Sequence, residues 1–411
     1  MKPLQLQFGR AGSWFLILLA FSLPISTSAI TVTAILVLVC WLGEGEFLHK
    51  WKEIITNPIC VALFVYLGIL VLGLCWADDL STGLASIRKQ WKLWLLPVFL
   101  TTVRWERRWW YVAAFIAGVA TTMLLIDLAW FDWLRYVGVT APYQFNLVSN
   151  NIVYTPMLAL AIYLLLHQSL WGGLKGIRRW LLLPLIGLMI FTLFITMGRA
   201  GHVVFFVLML LLLFQYFHRN MLKAVLLALV LLPLVFTVAY RISPVFQARV
   251  DLVQQEIRTF DQNPDTSVGQ RLVFWKNSWR IIRQSPWLGV GTGGFVAAYA
   301  QMHHQWTPEM TSTDDPHNQY LFSAVQQGVL GLLALLGLFV VQIYRAWQST
   351  DGWERIRMAF PLFFLVIMTT ASYLNVYGSG FLFSLFSAVL FKTQSNGQGA
   401  IASDPSTRIL G

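Results

Sequence analysis

The feature that most constrains this chain is its repetition of apolar runs about 17–25 residues long, the length a helix needs to cross the hydrocarbon core of a bilayer. Lipid offers backbone N–H and C=O groups no partners, so such runs must close their own hydrogen bonds as helices. The alternating segments of about ten residues that would build a membrane barrel are absent. Spans are expected near 12–28, 29–43, 58–76, 90–103, 109–129, 151–167, 180–198, 201–217, 222–240, 317–344, 358–374 and 379–392, about twelve in all. The expected fold class is therefore all-α, a polytopic integral membrane protein. Composition agrees: 57% of the 411 residues are hydrophobic and 11% charged, against about 25% charged in a soluble globular chain.

The N-terminus poses a targeting question. Lys2 and Arg10 precede an apolar stretch from Trp14 to Leu23, and the Ser26–Ala29 tetrapeptide resembles a leader cleavage site. A second apolar run, Ile30 to Leu42, follows at once, so a tight hairpin of two spans is expected instead. Cys40, Cys60 and Cys75 all fall in or beside apolar runs, which argues against a disulfide framework and a cysteine metal cluster.

Charge sets the expected orientation. Alternate connections carry Lys2 and Arg10, Lys50 and Lys52, Arg104, Arg107 and Arg108, Lys175, Arg178 and Arg179, Arg219 and Lys223, Arg345, Arg355 and Arg357, and Lys392. The opposite short connections carry only Arg88, Lys89, Lys92, Arg135 and Arg199. By the positive-inside rule both termini are cytoplasmic, in the inner membrane if the source is Gram-negative. The net charge of +11 is thus largely a topology signal that also suits anionic lipid headgroups. No basic stripe with interleaved aromatics points to nucleic acid. Tryptophans near span ends, such as Trp51, Trp109, Trp110, Trp130 and Trp133, read as an interfacial belt.

Four regions are expected: an N-terminal bundle over 1–240, a periplasmic helical segment over 241–316, C-terminal spans over 317–392 and a polar, flexible cytoplasmic tail over 393–411. In the periplasmic segment, Ser243-Pro244 opens an amphipathic helix with Phe246, Val250, Val253, Ile257 and Phe260 on one side. Asn263-Pro264-Asp265 breaks it. A second helix after Ser267 is expected to place Leu272, Trp275, Trp279 and Ile282 on its apolar stripe.

Chemistry concentrates between Asp314 and Gly328, where this polar segment hands over to an apolar helix. Pro316 suits a first helical turn, and Asp314 and Asp315 suit the positive end of the helix dipole. His317 and Asn318 then lie at the mouth of a span, either as an interfacial cap or as a reactive imidazole beside its support. Arg199 sits in Thr196-Met-Gly-Arg-Ala-Gly-His202, a very short outer connection. An arginine so close to hydrocarbon either snorkels or holds an anion, and the flanking glycines let the backbone turn and approach a ligand. Arg271, near a helix start, is either a solvated charge or a second anion contact. Two guanidiniums converging from different elements suit a diphosphate, whose oxygens they bind bidentately.

Other candidates are weaker. The glycine run from Gly289 to Gly294 lacks the strand–helix setting of a dinucleotide site. It reads as a turn, or as an anion nest formed by backbone amides. His303 and His304, with Asp314, Asp315 and His317, lack the fixed spacing of a zinc site, so no metal or other cofactor is expected. Asp127 falls within a span and is either functional or an interfacial structural residue beside Asp132 and Arg135.

The ordered set resembles a known family. His317-Asn318 followed by Gly328 and Gly331, the Gly198–Gly201 turn, Gly269-Gln270-Arg271 and the glycine turn after Pro286 occur in the order found in the O-antigen ligase and polymerase superfamily. The motifs cover roughly residues 180–392. The resemblance implies a metal-independent, inverting glycosyltransferase that moves a glycan from undecaprenyl diphosphate to an acceptor hydroxyl at the periplasmic face. In the ligases that acceptor lies on lipid A–core oligosaccharide. It also implies two essential arginines and one histidine, matching Arg199, Arg271 and His317. Arg199 and Arg271 would then bind the diphosphate and His317 would act as base. Asp314, Asp315, Asn318 and Gly328 would support the histidine, and Arg88 and Lys89, on the same side, would add to a phosphate or lipid A site. An O-antigen polymerase or protein O-oligosaccharyltransferase would use the same donor. One large outer segment and the modest chain length favour the ligase. A transporter would call for paired half-repeats and broken midplane helices, which the sequence does not display.

Overall fold

The computed structural model describes residues 3–134, 151–172, 180 and 182–393. Lys2, Arg135, Lys175, Arg178, Arg179 and the tail beyond Thr393 lie outside the described residues. The described part is helical, with no strand. Helices occupy every stretch where a span is expected, and among the described residues seven are long and apolar enough to cross a membrane: Thr27–Glu44, Pro58–Trp76, Trp105–Trp130, Asn151–Trp171, Arg199–Tyr216, Met221–Ile242 and Gln319–Gln348. Leu182–Ile195 and Tyr377–Phe391 are apolar but shorter.

The first two helices, Pro3–Ser22 and Thr27–Glu44, form the expected hairpin. Ser26 caps the second by accepting a hydrogen bond from the Ala29 amide. The stretch expected as one span near 90–103 is instead two short helices, Trp91–Trp94 and Leu96–Thr102. Pro97 stands in the first turn of the latter, where a missing N–H is harmless. These pieces pack on Tyr377–Phe391, which is buried almost all round and so forms the centre of the bundle. Met221–Ile242 is the opposite case. Only 11% of it is buried, so its apolar surface is left for lipid.

The polar segment forms three helices, Pro244–Arg258, Ser267–Gln284 and Phe295–Trp306. Ser243 caps the first with Pro244 in its opening turn, and Thr266 caps the second. Phe274, Ile281, Ile282, Phe295, Tyr299 and Met302 build a small core of their own against Ala324 and Val325 of Gln319–Gln348. This corrects the expected stripe. Of the expected stripe Ile282 lies in this core and Trp275 packs on it, Trp279 is exposed, and Leu272 and Trp275 line a separate apolar groove. The helix has two apolar flanks, and a single-stripe reading merges them.

The segment is locked onto the bundle by the glycine turn. The Val290 and Gly291 amides donate to the carbonyls of Val325 and Gln326, and the Thr292 amide to Gly73. The Gly293 amide donates to the Gln326 side chain at 2.7 Å. With these donors spent on protein acceptors, the turn is a structural clasp and the anion-nest alternative falls away. Gln319–Gln348 is kinked where Gly328 adopts φ 62°. A Cβ there would collide with the Trp287 carbonyl. Gly328→Ala should therefore destabilise the fold by about 2 kcal/mol or more, seen as a lower thermal unfolding midpoint in detergent. If the midpoint is unchanged, the kink does not depend on this glycine.

A cationic cavity beside an apolar groove

Arg199 opens the helix Arg199–Tyr216, which lies along Asn151–Trp171. Gly198 and Gly201 have no room for a side chain because Thr155 fills the space where Cβ atoms would project. They allow the close helix–helix approach, and Gly198 also lines the cavity described below. That packing fixes where the arginine emerges. Its side chain ion-pairs with Glu256 at 3.7 Å and donates to the Ser267 hydroxyl at 3.3 Å. Glu256 is buried and also accepts from the Val268 amide at 3.1 Å, so it cannot swing away without orphaning that donor.

Arg271 stands just over one turn into Ser267–Gln284 and faces the same space. Burial pushes its guanidinium below the ordinary arginine value, opposed by Tyr373 and Glu256. Arg199 and Arg271 line one polar cavity of 160 Å³ together with Arg249, Ser267, Thr370 and Tyr373. A second, apolar space of 500 Å³ is also lined by Arg199, Arg249 and Arg271. Its walls include Phe206, Phe236, Phe246, Val250, Val253 and Trp275. A charged head-sized chamber thus adjoins a greasy groove, with guanidiniums at the seam.

Four contributors escaped the sequence reading. Arg249 lies on the helix treated only as amphipathic, where it is one of four charged residues and nothing in the sequence sets it apart. Glu256 is two turns further along. Tyr373 and Thr370 sit in a loop, because the helix expected to span 358–374 ends at Ile367. The run Thr369-Thr370-Ala371-Ser372-Tyr373 is polar enough to have marked that end.

His317 does not line the cavity. It adopts φ 52°, a left-handed conformation uncommon for a non-glycine residue. Its ring lies 6.1 Å from that of Phe274, which shares a helix face with Arg271 three residues earlier. The Asp315 carboxylate accepts from the His317 amide at 2.7 Å and from the Ser372 hydroxyl at 2.8 Å, tying this segment to the loop that carries Tyr373. Trp275 donates to the Pro316 carbonyl at 3.0 Å. Pro316 and His317 precede the helix, contrary to the expected first-turn proline. Asn318 is the cap, accepting from the Tyr320 and Leu321 amides. Its carboxamide is the better terminus for four orphan amides. Asp314 is exposed. Arg88 and Lys89 complete the last turn of Leu80–Lys89, where cations suit the helix dipole, and are not among the residues lining the cavity. Gly328 belongs to the kink described above.

Burial pushes the Asp315 carboxyl above the usual carboxylate range, against the bonds from Ser372 and the His317 amide. A carboxyl raised in this way favours folding below its unfolded value, an advantage lost as pH rises through its folded value. Asp315→Asn should thus be the more stable protein at pH 7, with the gap closing as pH falls toward about 4. Asp315→Ala strands two donors and should cost about 1–3 kcal/mol. Thermal unfolding of both variants across pH checks the sign.

Residues 184–336 match the O-antigen ligase family model, a region holding Arg199, Arg249, Arg271 and His317. The match supports membership of the O-antigen ligase/polymerase superfamily, as the motifs imply. An uncharacterized protein of Haemophilus influenzae is 30% identical over 112 residues, covering 25% of this chain and 27% of that protein. The chain therefore matches only about a quarter of that relative's length.

Proposed function

We propose, from its superfamily membership, that the chain is an O-antigen ligase. It transfers a glycan from undecaprenyl diphosphate to a hydroxyl of lipid A–core oligosaccharide. The reaction takes place at the periplasmic face of a bacterial inner membrane, with both termini cytoplasmic and about twelve spans. The observation that carries this reading is the cavity holding Arg199 and Arg271 beside an apolar groove. That pairing suits an amphiphile with an anionic diphosphate head and a long hydrocarbon tail.

The reaction is a single displacement with inversion. The acceptor oxygen bonds to the sugar C1 as the bond from C1 to the diphosphate oxygen breaks. The electron pair departs with the lipid diphosphate. Arg199 and Arg271 neutralise charge as it grows on that leaving group, and fixed charges of this kind usually make the largest single contribution. The hydroxyl proton passes to His317 as general base. Supporting that role, the His317 ring lies beside Phe274 on the helix that carries Arg271, and Asp315 and Ser372 brace its backbone. The chemistry needs no metal.

The full chain reconstituted with undecaprenyl diphosphate-linked glycan and rough lipopolysaccharide should form the conjugate in the presence of EDTA. Loss of activity in EDTA, restored by a divalent ion, would overturn the metal-free scheme. Lengthening of the lipid-linked glycan itself, with lipopolysaccharide untouched, would assign the polymerase activity instead. His317→Ala should lower kcat by about 10²–10⁴-fold with little change in donor KM. Near-normal turnover in that variant would leave the imidazole no part in proton transfer.

A further inference from the structure

Arg249 reaches the cavity from Pro244–Arg258, a different helix from those that carry Arg199 and Arg271. Among the described residues it forms no ion pair. One terminal nitrogen donates to the Met197 sulfur at 3.2 Å, a weak acceptor. Its Nε is buried with no partner. It also lies close enough to Arg199 for the two charges to repel. The residue is half-buried, and its Nε is left as an unsatisfied donor at the seam between chamber and groove. A buried group in that state lacks an acceptor that something else has to bring.

We propose that Arg249 is the residue by which this cavity distinguishes a diphosphate from a single phosphate. The inference rests on reading the cavity as a lipid-diphosphate site. The charge count carries it. Three guanidiniums line the chamber and one carboxylate, Glu256, pairs with Arg199 from behind its wall, so two positive charges are left over. A glycan–diphosphate–lipid carries two negative charges, one on each diesterified phosphorus. A glycan–monophosphate–lipid carries one. With Arg249 the chamber balances the diphosphate, and without it the chamber balances the monophosphate. Arg199 is already engaged with Glu256 and Ser267, so the unfilled donors of Arg249 are well suited to the second phosphate. When the glycan leaves, the terminal phosphate loses an ester and can take a further negative charge, which the same guanidinium meets.

The test measures binding to the purified full chain in lipid nanodiscs, with three probes: glycan-linked undecaprenyl diphosphate, glycan-linked undecaprenyl monophosphate (a phosphodiester with one charge) and inorganic pyrophosphate. The parent should prefer the lipid diphosphate over the lipid monophosphate, and pyrophosphate should bind far more weakly than the lipid. Arg249→Gln should reduce diphosphate affinity roughly 10- to 100-fold, the worth of a charge-assisted hydrogen bond, and leave monophosphate affinity little changed. Arg249→Lys, which keeps the charge without the fork, should retain part of the preference. Arg249→Met supplies an independent reading, because removing an unpaired, mutually repelled charge should raise the unfolding temperature of the ligand-free protein while lowering diphosphate affinity. A full diphosphate preference in Arg249→Gln or Arg249→Met overturns the proposal and leaves the lipid-diphosphate reading standing. No preference in the parent overturns both, and pyrophosphate binding as tightly as the lipid diphosphate removes the lipid from either.

Discussion

Backbone satisfaction in a medium without water is the constraint on which the rest of this structure depends. Every place where a helix breaks has to find its hydrogen-bond partners within the protein. The glycine clasp at 289–294 answers that demand at two breaks together. It takes the carbonyls freed where Gln319–Gln348 kinks and the one freed where Pro58–Leu72 gives way to a short turn. The polar helical segment is thereby fixed against the bundle, and with it Arg271 and Arg249. The site is aligned by hydrogen bonds that contain no functional side chain.

The charges obey the same economy. A buried carboxylate is tolerable only when paired, and Glu256 is paired with Arg199 and a backbone amide. Arg249 and Arg271 both repel Arg199 across the small chamber, and Glu256 offsets part of that. Preorganised charge of this kind stabilises a leaving group without reorganising at the moment of reaction. The rigidity of the surrounding helices, with Gly198 and Gly201 pressed on Thr155, keeps those charges from spreading apart.

Much of this was legible in the sequence, and the reasons differ by element. Apolar run length located the helices, since the bilayer imposes that length directly. The ordered motifs singled out Arg199, Arg271 and His317, and the first two do share a cavity. Arg249, Glu256 and Tyr373 were not legible, because each looks ordinary within its own helix or loop and gains its meaning only from neighbours far along the chain. The two-sided character of Ser267–Gln284 was hidden for a related reason. Periodicity reports that a helix has apolar positions, but a second apolar flank facing a groove widens the stripe without announcing itself. The proline before His317 misled in the other direction, since Asn318 caps the helix more effectively and leaves Pro316 outside.

The sparsely packed helix Met221–Ile242 supplies Phe236 to the groove wall, while its remaining surface meets hydrocarbon. An acyl or prenyl chain lying in that groove exchanges lipid neighbours for protein neighbours of nearly equal polarity, so no water is released and little solvation energy is gained. For such a chain the groove would be a guide more than a grip. An amphiphile taken up here would gain from its tail mainly by being already concentrated in the bilayer beside the groove, and discrimination between heads would fall to the chamber's electrostatics, which ionic strength weakens.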